Sequence, residues 1–237
     1  MNAPLVFLHP LGGDAAFWDP VRAELGVRTS TALDLPGHGS AEPPERGAGI
    51  DAYAHAVAQQ LDGPAHLVGM SLGGLVAQEI AASTPDLVAS VVLVDTVAVY
   101  PDPMRQMWRD RADIARTSGL ESLVEPMVEM WFSAEIGAAA DPRVEQARRT
   151  FVSTDPEGYA RTCDVLADVD LRDRVASLAV PATVVCGQDD APAFRDGAMW
   201  LGQTIGVGAV HWLPGRHACV VEYPTKFAEL LAATTLD

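Results

Sequence analysis

The 237-residue chain sets 16 basic against 32 acidic residues, a formal net charge of −16 at pH 7, and is 49% hydrophobic. So much apolar material excludes a disordered chain and can fill the core of one large α/β domain, with room for an insertion. The acidity excludes phosphate backbones and anionic lipid surfaces as default partners, because repulsion precedes contact, so neither nucleic acid nor a membrane is expected.

The chain opens with Met1-Asn2-Ala3-Pro4, without a basic region, and the apolar run that follows ends at His9, too short for the core of a signal peptide. No run approaches the roughly 18 apolar residues of a membrane-spanning helix. Short apolar runs then recur with helical stretches between them, the pattern of βα units around a parallel sheet buried on both faces. Strands are expected near Leu5–Leu8, Thr29–Leu33, Ala65–Gly69, Val88–Val94, Ala182–Cys186 and Val210–Leu213. Helices are expected near Phe17–Leu25, Ile50–Leu61, Leu72–Ser83, Pro192–Ile205 and Thr225–Ala233. The strands are expected to form one all-parallel sheet in the order 2-1-3-4-5-6, each crossover right-handed. Its edge at Thr29–Leu33 is open, and an open edge invites pairing with a second copy, so a homodimer contact is an expectation there. Residues 98–168 break the alternation and read as a helical cap inserted into an α/β core made of 1–97 and 169–237. Cys163, Cys186 and Cys219 cannot all pair and lack metal-ligand spacing, which suits a reduced, cytoplasmic protein.

Gly69-Met70-Ser71-Leu72-Gly73 follows an expected strand and opens an expected helix. In that context G-x-S-x-G holds a nucleophilic serine on a sharp, strained turn. A serine hydroxyl needs a base to take its proton and a carboxylate to fix the base's tautomer. After such a turn the acid follows a late strand and the histidine lies near the C-terminus. His217, in the loop after Pro214-Gly215-Arg216, is the candidate base, while His211 falls inside an apolar strand and reads as a core or face residue. Asp190, by its spacing from Gly187, is the candidate acid, with Asp189 and Asp95 as alternatives. The oxyanion donors are expected to be the amides of Leu72, directly after the nucleophile, and Leu11, since Pro10 has no amide hydrogen. His9 is expected to shape its loop. Trp108, Met127, Met130 and Trp131 are candidates for the apolar wall of a substrate pocket in the cap.

Together these residues make the chain resemble the α/β-hydrolase superfamily over nearly its full length. The resemblance runs through His9-Pro10-Leu11-Gly12, Asp34-Leu35-Pro36-Gly37-His38-Gly39-Ser40, the serine turn, Gly187-Gln188-Asp189-Asp190 and Pro214-Gly215-Arg216-His217. Within the superfamily the chain is similar to 3-oxoadipate enol-lactonases, through Trp131-Phe132, Thr154-Asp155-Pro156-Glu157-Gly158-Tyr159-Ala160, Cys163 and Asp170-Leu171-Arg172. That resemblance implies hydrolysis of a small-molecule enol-lactone in aromatic catabolism, without cofactor or metal. Two departures stand out. The opening β-hairpin of the family does not precede the first strand here, and Met130 stands where an arginine often precedes the cap tryptophan. Other readings on the same triad are a carboxylesterase or a carbon-carbon bond hydrolase. A lyase of the menaquinone-pathway type would want an arginine where Leu75 follows Gly73-Gly74. A reading of another class is a ligand-binding protein that kept the fold and lost turnover. If the substrate is anionic, one of the eight cap arginines, Arg105, Arg109, Arg111, Arg116, Arg143, Arg148, Arg149 and Arg161, must turn inward to pair with it.

Overall fold

In a computed structural model describing residues 3–26, 29–138 and 140–235, six parallel strands form one sheet ordered β2-β1-β3-β4-β5-β6. They are β1 (Leu5–Leu8), β2 (Ser30–Leu33), β3 (Ala65–Met70), β4 (Val88–Val94), β5 (Ala182–Gly187) and β6 (His211–Leu213). β1 and β3 are buried at every position, as near-continuous apolar runs between two helical layers must be. The helices outside the expected cap are α1 (Asp19–Glu24), α2 (Ile50–Ala58) and α3 (Leu72–Ser83) before it and, among the described residues, four more after it. Between β4 and β5 run α4 (Asp102–Ser118), α5 (Val124–Trp131), α6 (Ala134–Ala138), α7 (Pro142–Ser153), α8 (Pro156–Asp168) and α9 (Arg172–Ala176), followed after β5 by α10 (Pro192–Ile205) and after β6 by α11 (Cys219–Glu222) and α12 (Pro224–Thr234).

The expected single helix over Phe17–Leu25 is instead a 3-10 turn, Ala15–Trp18, continued by α1. Pro20 falls in the first turn of α1, where its missing amide hydrogen costs nothing. The β2 edge is open among the described residues. β6, the other edge, carries an exposed His211 and a Trp212 that is 38% exposed, so His211 lies on the surface and not in the core.

The segment expected as a cap holds α4 through α8, and an isolated antiparallel bridge between Val99 and Asp170 closes its base. α4 and α8 are cross-linked by Arg109 to Asp168 at 2.7 Å and by Arg116 to Asp164 at 2.5 Å. Asp155 caps α8, its side chain accepting from the Gly158 amide at 2.6 Å. Gly158 in turn meets Gly37 so closely that a Cβ on it would lie 2.7 Å from the Gly37 carbonyl oxygen, which seats α8 on the loop after β2.

Candidate active site

Ser71 stands between β3 and α3 with φ 53° and ψ −111°, in the left-handed half of backbone space that an ordinary side chain avoids. The turn is held from both sides. The Ser71 amide donates to the Val94 carbonyl at 2.9 Å, and Thr96 Oγ1 donates to the Ser71 carbonyl at 2.8 Å. Glycine is required at both flanks, because a Cβ at Gly69 would lie 2.2 Å from the Gly73 carbonyl oxygen and one at Gly73 would lie 2.2 Å from that of Leu8. The hydroxyl therefore sits over the first turn of α3, where unpaired amides and the helix dipole favour negative charge.

His217 lies in the loop between β6 and α11. Its Nδ1 is 2.9 Å from Asp190 Oδ2, and both side chains are almost entirely withdrawn from solvent. With Asp190 ionised, Nδ1 carries the hydrogen and Nε2 is left as the acceptor. The other Asp190 oxygen accepts from the Ala191 amide at 2.7 Å. The imidazole packs 4.2 Å from the Phe194 ring, and its loop is fixed where the Ala218 amide donates to the Trp131 carbonyl at 2.8 Å and the Arg216 amide donates to Glu222 at 2.9 Å. Asp189 is exposed, and its amide is occupied by the Gly215 carbonyl.

Asp95 is fully buried behind this pair. It accepts from the Gly187 amide at 2.7 Å and from the Cys219 thiol at 3.1 Å, and one of its oxygens lies within 4.8 Å of Asp190 and of Cys186. Burial first and the Asp190 carboxylate second push its carboxyl well above the usual carboxylate range. It braces the turn that carries Asp190 and makes no contact with the His217 ring among the hydrogen bonds formed.

Leu11 and Leu72 have backbone amides that no described group accepts from. His9 shapes the loop that presents Leu11. Its Nε2 accepts from the Leu35 amide at 2.9 Å, so its Nδ1 is the nitrogen that donates to the Pro10 carbonyl at 2.8 Å. Burial lowers its pKa to about 4, which keeps it neutral. Asp34 completes the frame: burial opposes its charge, but the Ser40 amide and hydroxyl and the Ala15 amide hold its carboxyl below the usual range.

Ser71, Leu11 and His217 line one chamber with Trp108, Met127, Met130 and Trp131, the cap residues expected there. Pro10, Phe151 and Arg111 complete the lining; Arg111 stood among eight cap arginines with no pattern to single it out, and Phe151 carried no signal beyond being apolar. The chamber measures about 10 Å³, room for one water and not for a lactone ring. Trp131, stacked edge-on against Phe17 at 5.5 Å, separates it from a second cavity of about 340 Å³ that reaches Gly12, Gly13 and Thr150. Ser71 Oγ and His217 make no hydrogen bond in this closed form, a separation that commonly tightens once substrate is bound.

The family model described as "Alpha/beta hydrolase family" matches residues 5–230. The chain belongs to this family. It is similar to the crystal structure of the enol-lactonase from Burkholderia xenovorans LB400, with a TM-score of 0.93 and 30% identity over 100% of this chain and 93% of that one. In sequence it is 26% identical to 3-oxoadipate enol-lactonase 1 of Acinetobacter baylyi, over 98% of this chain and 88% of the relative. It is also 31% identical to the pimeloyl-[acyl-carrier protein] methyl ester esterase of Chromobacterium violaceum, over 96% of this chain and 92% of the relative. As a member of this family the chain is a hydrolase. No helix among the described residues is long and apolar enough to cross a membrane.

Proposed function

We propose that this hydrolase cleaves a small ester or lactone through an acyl-enzyme on Ser71, and that its substrate is an enol-lactone of the 3-oxoadipate type. The observation that carries the reading is the buried His217–Asp190 pair at 2.9 Å opening onto the same apolar chamber as the strained Ser71.

Ser71 Oγ attacks the lactone carbonyl while its proton passes to His217 Nε2. Asp190 holds the resulting imidazolium in place. The carbonyl oxygen, now negative, is met by the Leu11 and Leu72 amides, which are already oriented and therefore cost no reorganisation. Collapse of the tetrahedral species breaks the ring C–O bond, and His217 returns its proton to the departing oxygen. In an enol-lactone that oxygen leaves as an enol, which becomes a ketone, so ring closure is disfavoured. The leaving group stays tethered to the acyl chain. Water then attacks the acyl-enzyme with His217 as base, releasing the acid and restoring Ser71. Trp131 and the thioethers of Met127 and Met130 must shift to admit a ring, and unbranched methionine side chains repack readily.

The esterase relative favours a second reading, a simple carboxylic ester. Turnover of enol-lactones, saturated lactones and p-nitrophenyl esters, compared as kcat/KM, separates the two. The enol-lactone reading expects the first class to lead by about 100-fold or more, a margin of the size that differential transition-state binding gives. A lead for the simple esters would assign the esterase reading.

A further inference from the structure

The chamber contains donors without acceptors. Arg111, on α4, is 8% exposed, and its guanidinium makes one hydrogen bond, from Nη1 to the Tyr159 hydroxyl at 3.2 Å. No carboxylate pairs with it among the described residues. Of its neighbours in the cap, Arg109, Arg116, Arg143, Arg148 and Arg161 pair with acids, Arg105 donates to the Tyr100 and Val169 carbonyls, and Arg149 donates to the Gln146 amide oxygen. Trp108, one turn earlier on the same face of α4, lies 5.6 Å below the guanidinium, and its buried Nε1 has no acceptor. The surroundings supply no hidden anion, since burial keeps the Tyr159 hydroxyl protonated and pushes the Cys163 thiol up to about 12. A guanidinium carries five donors, and leaving a buried cation without a counter-ion costs several kcal/mol. A folded protein tolerates that deficit where a ligand removes it.

We propose that Arg111 and the Trp108 indole N–H form the subsite for a carboxylate carried by the substrate. The site takes acyl donors that bear a second, anionic group reaching from the scissile carbonyl to α4. The inference rests on the reading of Ser71 as nucleophile only for its kinetic arm. The planar fork of Arg111 suits bidentate pairing with a carboxylate, and the indole face beneath it fixes the plane of that fork. This subsite stands on a different helix from Met130, which offers no charge, so the anion approaches the nucleophile from the α4 side of the chamber.

The test compares two enol-lactones that share one ring, α-angelica lactone, whose ring bears a methyl group, and the analogue with an acetate group in its place. The unmodified enzyme is expected to favour the acetate-bearing lactone in kcat/KM. In Arg111→Met that preference should fall by about 100-fold or more, chiefly through KM, the size of loss seen when one partner of a buried charge pair is removed. Trp108→Phe, which keeps the ring and deletes the donor, should reduce it by about 5- to 10-fold. A preference unchanged in Arg111→Met would overturn the subsite. Titration calorimetry of the acetate-bearing lactone with Ser71→Ala, and with Ser71→Ala carrying Arg111→Met, reads the same contact without turnover. Binding weakened by the arginine change supports the subsite even if the lactone proves not to be hydrolysed, and equal binding refutes it whatever the enzyme hydrolyses. Should Arg111→Met fold poorly, Arg111→Lys keeps the charge and loses the fork, and the subsite requires a partial loss of the preference, with full retention counting against it.

Discussion

Asp190 and its neighbour Asp189 are one residue apart, yet the fold gives them opposite circumstances. Asp190 is buried against His217, whereas Asp189 faces solvent. Asp190→Asn should therefore lower kcat by up to about 10⁴-fold, because the amide presents its N–H to Nδ1 and favours the wrong imidazole tautomer, while Asp189→Asn should change kcat by less than about threefold. Steady-state kinetics on one ester distinguishes them, and a crippled Asp189→Asn beside a mild Asp190→Asn would transfer the role. The turn after the late strand was legible in the residues, as were Ser71 and His217, since each sits at a spacing that chemistry demands. Arg111 was not. Which of eight cap arginines turns inward depends on how α4 packs against α8, a tertiary relation that composition does not carry. His211 misled for a similar reason: an apolar neighbourhood in sequence became an edge strand with an exposed face.

Six strands and their parallel pairing followed from runs of β-branched residues separated by helical stretches, and their order followed from the resemblance to the α/β-hydrolase fold without its opening hairpin. Boundaries were less legible where local chemistry splits an element, as at the 3-10 turn before α1. The element on which the site depends most is the β3 to α3 elbow. Gly73→Ala places a methyl group 2.2 Å from the Leu8 carbonyl oxygen, so the backbone of β1 or α3 must shift to admit it. It should destabilise the protein by about 2–3 kcal/mol, the scale of overpacking in a rigid core, read as a lower midpoint in urea. A midpoint equal to that of the unmodified chain would mean that β1 and α3 approach less closely than described.

Across the whole molecule, acid should loosen the fold through histidines that are buried uncharged. Burial lowers the pKa of His9 to about 4 and, with the neighbouring His9 adding repulsion, that of His38 to about 3, against an ordinary value of 6.5. The unfolded chain takes up these protons below about pH 6.5 and the folded chain does not, so stability is lost as the pH falls from there toward the folded values. Melting temperatures should drop by several degrees between pH 7 and pH 5, and the drop should be shallower in His38→Asn. An identical slope in the variant would remove His38 from the account. The same buried pair, with rings 5.1 Å apart, fixes the Pro10 carbonyl beside Leu11 through His9, so the scaffold and the candidate oxyanion loop are one structure.

The claim on which the rest depends is that Ser71, activated by His217, is the covalent nucleophile. Its most direct test is labelling with a fluorophosphonate, followed by peptide mass spectrometry on the unmodified protein and on His217→Ala. The account predicts a single adduct on the peptide containing Ser71, formed rapidly in the first and at least about 10³-fold more slowly in the second, because the base accelerates attack on phosphorus as it does on a carbonyl. Adducts elsewhere, or equal rates in the two proteins, would contradict it.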